Sequence, residues 1–292
     1  MPSHDPLLSE LLAEAQAVLA RGPHPDRARP DAELLLLHVF AGRDSAKNRA
    51  WLLTHFDSTA APEAIEEFHV LVERRRAGEP IQYIRGEAEF YGLPFYVTRD
   101  VLIPRPETEH LVEKAVELLP LFAKPRVLDV GTGSGMIAIT IAHEWPSASV
   151  TATDISVAAL EVARRNALRI GFADRLRFLQ GDLLAPVAGE QFHLVLSNPP
   201  YVAEGDRTTL AVEVRDYEPA QALFAGDDGL TLYRRLIPAA FVALVPGGYI
   251  VLEIGHGQKD AIGALLETAG FNSIEFTADL QGIPRVAAAR RP

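Results

Sequence analysis

The stretch that most constrains the fold is Arg126-Val127-Leu128-Asp129-Val130, which runs into Gly131-Thr132-Gly133-Ser134-Gly135. The first five residues read as a short buried strand. Beyond the glycines, Ile137, Ile139 and Ile141 belong to a helix. Strand, glycine loop and helix form the ligand end of a doubly wound sheet. The spacing is Asp-x-Gly-x-Gly-x-Gly, not the G-x-G-x-x-G that seats a pyrophosphate, and the Lys-Ser/Thr of a P-loop is missing. Asp129 at the strand end repels a pyrophosphate and attracts an amino group. A zwitterionic amino acid moiety therefore fits this loop better than a dinucleotide.

The chain then alternates. Ser149 to Thr153 is a second strand and ends at Asp154. An acid at that place suits a bidentate grip on a ribose diol. The competing role is to cap the next helix, Val157 to Ile170, through Ser156 or itself. Ile155 is placed to pack on a base. Arg177 to Gln180 is a third strand, followed by Gly181-Asp182-Leu183, where Asp182 can accept from an exocyclic amine of adenine. Phe192 to Leu196 is a fourth, ending in Ser197-Asn198-Pro199-Pro200-Tyr201. All four loops lie at strand C-termini, where open parallel sheets bind ligands. A helix over about 230–244, a strand over 249–254, a helix over about 258–269 and strands over 272–277 and 286–290 complete the alternation.

Asn-Pro-Pro-Tyr is unusual chemistry for a strand end. Each proline lacks an N–H, fixes φ and holds the residue before it extended. Asn198 adds a side-chain acceptor and a donor pair. The result is a rigid cluster of acceptors beside an aromatic face, able to grip a planar –NH2 group. A plain turn ending a strand explains the tetrapeptide alone equally well.

Residues 1–78 read as a small helical domain. Leu7, Leu8, Leu11, Leu12, Ala15, Val18 and Leu19 recur at helical spacing. Asp31 can cap a second helix that Gly42 ends, and Pro62 suits the first turn of another. Arg74-Arg75-Arg76 reads as a solvated helix end complementing the dipole, with RNA phosphate as the alternative. His4, His24, His38, His55 and His69 show no metal-ligand spacing, so no metal site is expected. Residues 79–105 form a connector whose aromatic and β-branched residues, broken by Gly and Pro, suggest a β-hairpin. Pro106 opens the helix that follows. Arg105 and Glu107 there face a ligand or form a structural cap.

Composition narrows the function. With 292 residues and 48% hydrophobic content, about two domains with a sizeable core are expected. The net charge of −11 argues against a nucleic-acid surface spread over the molecule. The chain has no cysteine, which excludes disulfides and thiolate catalysis. No apolar run reaches membrane-spanning length and no signal peptide is read at the N-terminus, so a cytoplasmic protein without membrane contact is expected.

Glycine loop, two following carboxylates and Asn198 together match S-adenosylmethionine-dependent methyltransferases of the Rossmann-like class. The resemblance implies a seven-stranded mixed α/β sheet whose last strand is antiparallel, over residues 106–292. Further motifs are more specific: Gly78-Glu79-Pro80-Ile81-Gln82-Tyr83-Ile84, Glu89-Phe90-Tyr91-Gly92, Ile103-Pro104-Arg105-Pro106-Glu107-Thr108-Glu109, Glu218-Pro219-Ala220, Leu252-Glu253-Ile254-Gly255 and Gly282-Ile283-Pro284-Arg285-Val286. They resemble the release-factor glutamine N5-methyltransferase family across nearly all of residues 78–290. One departure is Leu183, where some members of the family place Trp.

The resemblance implies that the acceptor is the glutamine of a Gly-Gly-Gln motif in peptide chain release factors. It implies S-adenosylmethionine at Asp129, Gly131, Thr132, Gly133, Ser134, Gly135, Asp154, Ile155, Asp182, Leu183 and Asn198. It implies an amide clamp made of Asn198 and the Pro199 carbonyl, stiffened by Pro200 and faced by Tyr201. The helical residues 1–78 and the acidic segment 202–228 are expected to help recognise the release factor. Two alternatives stand beside this reading. An adenine-N6 methyltransferase acting on DNA or RNA shares Asn-Pro-Pro-aromatic, and the charge and the further motifs disfavour it. A non-catalytic assembly module with this fold is disfavoured by the intact glycine loop, Asp154 and Asn198.

Overall fold

The structure, a computed structural model, describes residues 6–41 and 48–292. His4 and Gly42 lie outside those residues. The described chain divides into two compact units, residues up to Gly86 with Ala211–Tyr217, and Glu87–Leu210 with Glu218–Pro292.

The first unit contains α1 (Leu8–Leu19), α2 (Ala28–Ala41), α3 (Arg49–Thr54), α4 (Pro62–Arg76) and α5 (Ile81–Arg85). Helix α1 buries Leu8, Leu11, Leu12, Ala15 and Leu19, the stripe that helical periodicity predicts. That stripe joins Leu35, Leu36, Phe68 and Leu71 in one core. Full burial of each leucine contributes about 1.5–3 kcal/mol.

Several local expectations fail in this unit. Asp31 caps nothing, because a 3-10 turn at Pro25–Arg27 starts α2 three residues earlier. Its buried carboxylate instead accepts from Arg75 Nε at 2.7 Å. Arg75 is only 5% exposed and is no solvated helix end. It also donates to Glu213 Oε2 at 2.9 Å and to the Glu79 carbonyl at 3.0 Å. A guanidinium is tolerated inside only when so paired. Arg74 pairs with Glu79 and Arg76 with Glu73, so the three arginines answer carboxylates of their own unit. Residues 81–85 are a helix rather than part of a hairpin, and they turn Ile81 and Ile84 into the helical core. Helix α3 has no counterpart in the sequence reading. It is too short to show a period, and it is held by Asn48, whose Oδ1 accepts from the N–H groups of Ala50 and Trp51.

The second unit begins with the hairpin β1 (Glu87–Phe90) and β2 (Leu93–Tyr96). A 3-10 turn at Pro106–Thr108 leads into α6 (Glu109–Leu118). The alternating part follows as β3 (Arg126–Val130), α7 (Met136–Glu144), β4 (Ser149–Asp154), α8 (Val157–Ile170), β5 (Leu176–Gln180) and β6 (Phe192–Ser197). Helix α9 (Val212–Tyr217) is the excursion that belongs to the first unit. The chain closes with α10 (Thr231–Ala243), β7 (Leu244–Glu253), α11 (Lys259–Ala269), β8 (Asn272–Ala278) and β9 (Pro284–Arg290).

The strands form one seven-stranded sheet in the order β5-β4-β3-β6-β7-β9-β8. Strands β3 to β7 run parallel, and β9 lies antiparallel between β7 and β8. This is the mixed sheet expected from the sequence. Side chains alternate between two apolar layers. Val127, Leu194 and Leu196 face Leu111 of α6 and Ile137 of α7. Leu128, Val130 and Val195 face Tyr233 and Leu236 of α10 and Ile262 of α11. From β3 the chain steps outward to β4 and β5, then returns to the other side of β3 with β6. The loops after β3 and β6 therefore emerge side by side at the switch point, where such sheets bind ligands.

Candidate active site

The glycine loop after β3 is folded by its neighbour β4. Gly131 N and Thr132 N donate to the Thr153 carbonyl at 2.9 and 3.0 Å, and Gly133 N donates to Asp154 Oδ2 at 2.9 Å. Gly131 and Gly133 have φ of +74° and +56°, with open space where a Cβ would stand. The loop thus presents bare backbone. From behind, Asn166 of α8 donates to the carbonyls of Ser134 and Tyr96 and accepts from Tyr96 N, which locks loop, helix and hairpin together.

Asp129 lies beneath this loop, fully buried. Its Oδ2 accepts from Thr132 Oγ1 at 2.6 Å and from Ala138 N at 3.2 Å. Burial pushes its pKa up to about 7, against these two hydrogen bonds. It is not itself among the residues lining the adjoining cavity, and its two hydrogen bonds hold the loop that is.

That cavity, of about 460 Å³, is bordered by Gly131 to Ser134, Asp154, Ile155, Asp182, Leu183, Asn198 and Pro200. The carboxylate of Asp154 accepts from Ser156 N at 2.8 Å as well as from Gly133 N, while Ser156 itself caps α8 through Ala159 N. Burial raises its pKa above the ordinary aspartate value. Ile155 and Leu183 give the cavity apolar walls. Leu183 holds a φ of +49°, and its carbonyl accepts from Thr153 Oγ1 at 3.0 Å. A leucine in the left-handed region is a local strain that the surroundings must hold. Asp182 is ion-paired with Arg235 of α10, another lining residue and one that the sequence reading does not name.

The other side of the cavity is built on the end of β6. Ser197 Oγ donates to the Val130 carbonyl at 2.6 Å and fixes the end of β6 to the end of β3. Asn198 Nδ2 donates to Thr108 Oγ1 at 3.1 Å, and Thr108 Oγ1 donates to Glu253 Oε2 at 2.6 Å. Thr108 is 0% and Glu253 2% exposed. Tyr201 does not reach the cavity wall. Its ring packs on the α10 side of the sheet, and its hydroxyl donates to Glu253 Oε1 at 3.3 Å. The ring is thus partly buried. Pro199 is also absent from the lining residues, whereas Asn198 and Pro200 are present. Burial drives Glu253 up to about 7 and pushes the Tyr201 hydroxyl far above the usual tyrosine value. Arg105 forms an ion pair with the buried Glu218, and its side chain makes no cap on the turn that it precedes.

The donor set fits an adenosyl amino acid. A bare backbone turn leaves room for a polar head, the carboxylate of Asp154 suits a diol, and Ile155 and Leu183 suit a planar base.

Two family models match the chain: "PrmC N-terminal domain" over residues 10–86 and "Methyltransferase small domain" over residues 108–226. A protein of Burkholderia pseudomallei called release factor glutamine methyltransferase is 44% identical over 267 residues, 90% of this chain and 92% of its own length. One of the same description from Cereibacter sphaeroides is 45% identical over 267 residues, 91% of this chain and 92% of its own length. The chain belongs to the release factor glutamine methyltransferase family. Solved structures repeat the fold. A methyltransferase from Pyrococcus furiosus matches with a TM-score of 0.51 at 22% identity, over 69% of this chain and 90% of its own. The T. Thermophilus 16S rRNA N2 G1207 methyltransferase gives 0.53 at 18%, over 70% and 50%.

Within this family member, the side chains that hold Asn198 are the ones residue-by-residue reading leaves unassigned. Thr108 and Glu253 sit inside motifs quoted for the resemblance, yet nothing in their local sequence joins them. They are 145 residues apart, and β7 and the turn before α6 bring them together.

Proposed function

We propose that this protein transfers the methyl group of S-adenosylmethionine to the side-chain nitrogen of the glutamine in the Gly-Gly-Gln motif of peptide chain release factors. The observation that carries the reading is the Asn198 amide, tied through its nitrogen to Thr108 while lining the cavity that Asp154 and the glycine loop also line. Membership of the family supports the choice of a glutamine amide over an adenine.

When bound, the cofactor supplies a methyl group on a positively charged sulfur. Asp154 holds the ribose, Gly131 to Ser134 make room for the amino acid portion with Gly135 turning the chain into α7 behind them, and Ile155 and Leu183 flank the base. An amide nitrogen is a poor nucleophile because its lone pair is spread into its carbonyl. The Asn198 side-chain oxygen and the Pro199 backbone carbonyl accept its two N–H bonds. They aim the nitrogen and stabilise positive charge that develops on it in the transition state. Pro200 stiffens the clamp. The proton leaves to water after transfer. Tyr201 supports the clamp from the core through Glu253.

The helical unit serves recognition of the release factor, together with the acidic segment 202–228, from which α9 is counted with that unit. Among the described residues no helix is long and apolar enough to cross a membrane. Action on a release factor places the enzyme in the cytoplasm, and nucleic acid is not its direct substrate. The test uses methyl-labelled cofactor with a purified release factor or with DNA and RNA. Label is expected on the factor and lost when its Gly-Gly-Gln glutamine is replaced. Label on nucleic acid and none on the factor would overturn the reading.

A further inference from the structure

We infer that Glu253 and Thr108 determine which end of the Asn198 side chain faces the methyl acceptor. The inference rests on the reading of Asn198 as the amide clamp and goes one step behind it. An asparagine amide has an accepting end and a donating end of nearly the same shape. Only the accepting end can take an N–H from a substrate amide, so an unanchored Asn198 would offer the wrong end part of the time.

The hydrogen-bond inventory allows one arrangement when Glu253 is ionised. A carboxylate only accepts. Thr108 Oγ1 has a single proton, and at 2.6 Å from Glu253 Oε2 that proton is spent on the carboxylate. Tyr201 spends its proton on the other oxygen, Oε1, at 3.3 Å. Thr108 then has only lone pairs to offer Asn198, 3.1 Å away. Asn198 must present its NH2 group to Thr108, and its oxygen is the end left for the cavity. Thr108 and Glu253 are both buried, and in so apolar a setting each donor is held to its acceptor. Tyr233 adds a bond from its hydroxyl to the Glu253 backbone carbonyl at 2.7 Å, which holds the strand end in place.

Protonation reverses the chain of donors. A neutral Glu253 donates to Thr108 and frees the threonine proton for Asn198, which then accepts inward and shows its NH2 to the substrate. The groups facing Glu253 are Thr108 and Glu107 from the turn before α6, Tyr201 after β6, Tyr233 of α10 and Arg285 of β9. Glu107 opposes its ionisation and Arg285 favours it. Thr108 and Glu253 are positioning residues, since neither lines the cavity.

The test compares Asn198→Ala, Thr108→Val, Thr108→Ser and Glu253→Gln for turnover on a release factor, KM for the factor, cofactor affinity and melting temperature. Thr108→Val is expected to lower kcat about 10- to 100-fold, the scale of a misaligned reacting group, with cofactor affinity retained. Thr108→Ser keeps the hydroxyl and restores turnover. Glu253→Gln replaces one of the two accepting oxygens by an NH2 that can face either Thr108 or Tyr201, so the polarity is no longer strict and kcat is expected to fall. Wild-type kcat is expected to fall as pH drops from 8 to 6, a measurement that needs no variant to fold. Asn198→Ala inactive beside fully active Thr108→Val would overturn the inference and leave the clamp standing, as would a flat wild-type profile. A fully active Asn198→Ala would instead overturn the clamp itself.

Discussion

Two buried carboxylates, Asp129 under the glycine loop and Glu253 behind Asn-Pro-Pro-Tyr, look alike and do different work. Both are at most 2% exposed and both are pushed by burial to about 7. Asp129 collects its donors locally, from Thr132 three residues on and Ala138 nine residues on. Glu253 collects side chains from 145 and 52 residues away. The first therefore shapes a backbone loop on the cofactor side. The second sets the direction of side chains on the acceptor side. The difference implies that one acid should govern cofactor affinity and the other turnover, and substitutions can separate the two.

The largest effect is expected at the end of the Glu253 chain. Asn198→Ala removes an acceptor aimed at charge that develops only in the transition state, so kcat should fall about 10²- to 10³-fold, the range seen for loss of a single preorganised partner. Cofactor affinity should stay near wild type. Titration of cofactor and single-turnover methylation of a release factor check both halves. A large loss of cofactor binding with normal turnover at saturation would show that Asn198 belongs to the cofactor side instead.

Asp129→Ala should give the opposite pattern. It leaves the Thr132 hydroxyl and the Ala138 N–H buried without an acceptor, at about 1–3 kcal/mol for each orphaned group. Denaturant unfolding should show that loss of stability, and cofactor affinity should weaken as the loop relaxes. Turnover at saturating cofactor should change little. Unchanged affinity with depressed turnover would erase the distinction between the two acids.

A smaller effect is expected where the Tyr201 turn meets Gly229. A Cβ at Gly229 would collide with the Tyr201 carbonyl, and its φ of +71° already disfavours other residues. Gln258 Nε2 also holds that carbonyl, at 3.0 Å. Gly229→Ala should cost about 1 kcal/mol or more in stability, because the native backbone conformation suits only glycine. It should also lower kcat modestly without touching cofactor affinity. A loss confined to cofactor binding would contradict the placement of this turn on the acceptor side.

The same contrast explains what the sequence made legible. Asp129, the glycines and Asp154 lie within one strand-loop-helix-strand unit, whose known form puts the loop beside the carboxylate that holds it. Asn198 at the end of β6 was legible because two prolines restrict it. The chain Asn198–Thr108–Glu253 was not, since each link crosses the fold and none has a characteristic spacing. Arg235 escaped for the same reason: α10 read as a helix, but its partner Asp182 is 53 residues away. That the Tyr201 hydroxyl has a buried carboxylate to satisfy was not legible either, since Glu253 lies 52 residues away. In the helical unit, Arg75 read as a solvated end because its partners Asp31 and Glu213 are 44 and 138 residues distant.

The pH dependence of stability supplies the gentlest test, and its sign is fixed. In the unfolded chain both acids have ordinary carboxylate values; in the native state both lie at about 7. Between roughly pH 4.5 and 7 the native state thus binds more protons, and stability must fall as pH rises through that window. Asp154, also raised, acts in the same direction. His193, lowered by burial, acts in the opposite one, so the raw curve mixes the two. Asp228, held down to about 2 by Arg234, titrates below the window. The informative quantity is the difference in melting temperature between wild type and each of Asp129→Asn and Glu253→Gln, measured from pH 7.5 down to 5.5. Each variant lacks one raised group, so wild type should gain on it as pH falls. Equal contributions with unequal kinetic effects would mean that the two acids carry similar electrostatic strain and differ only in what their hydrogen bonds hold.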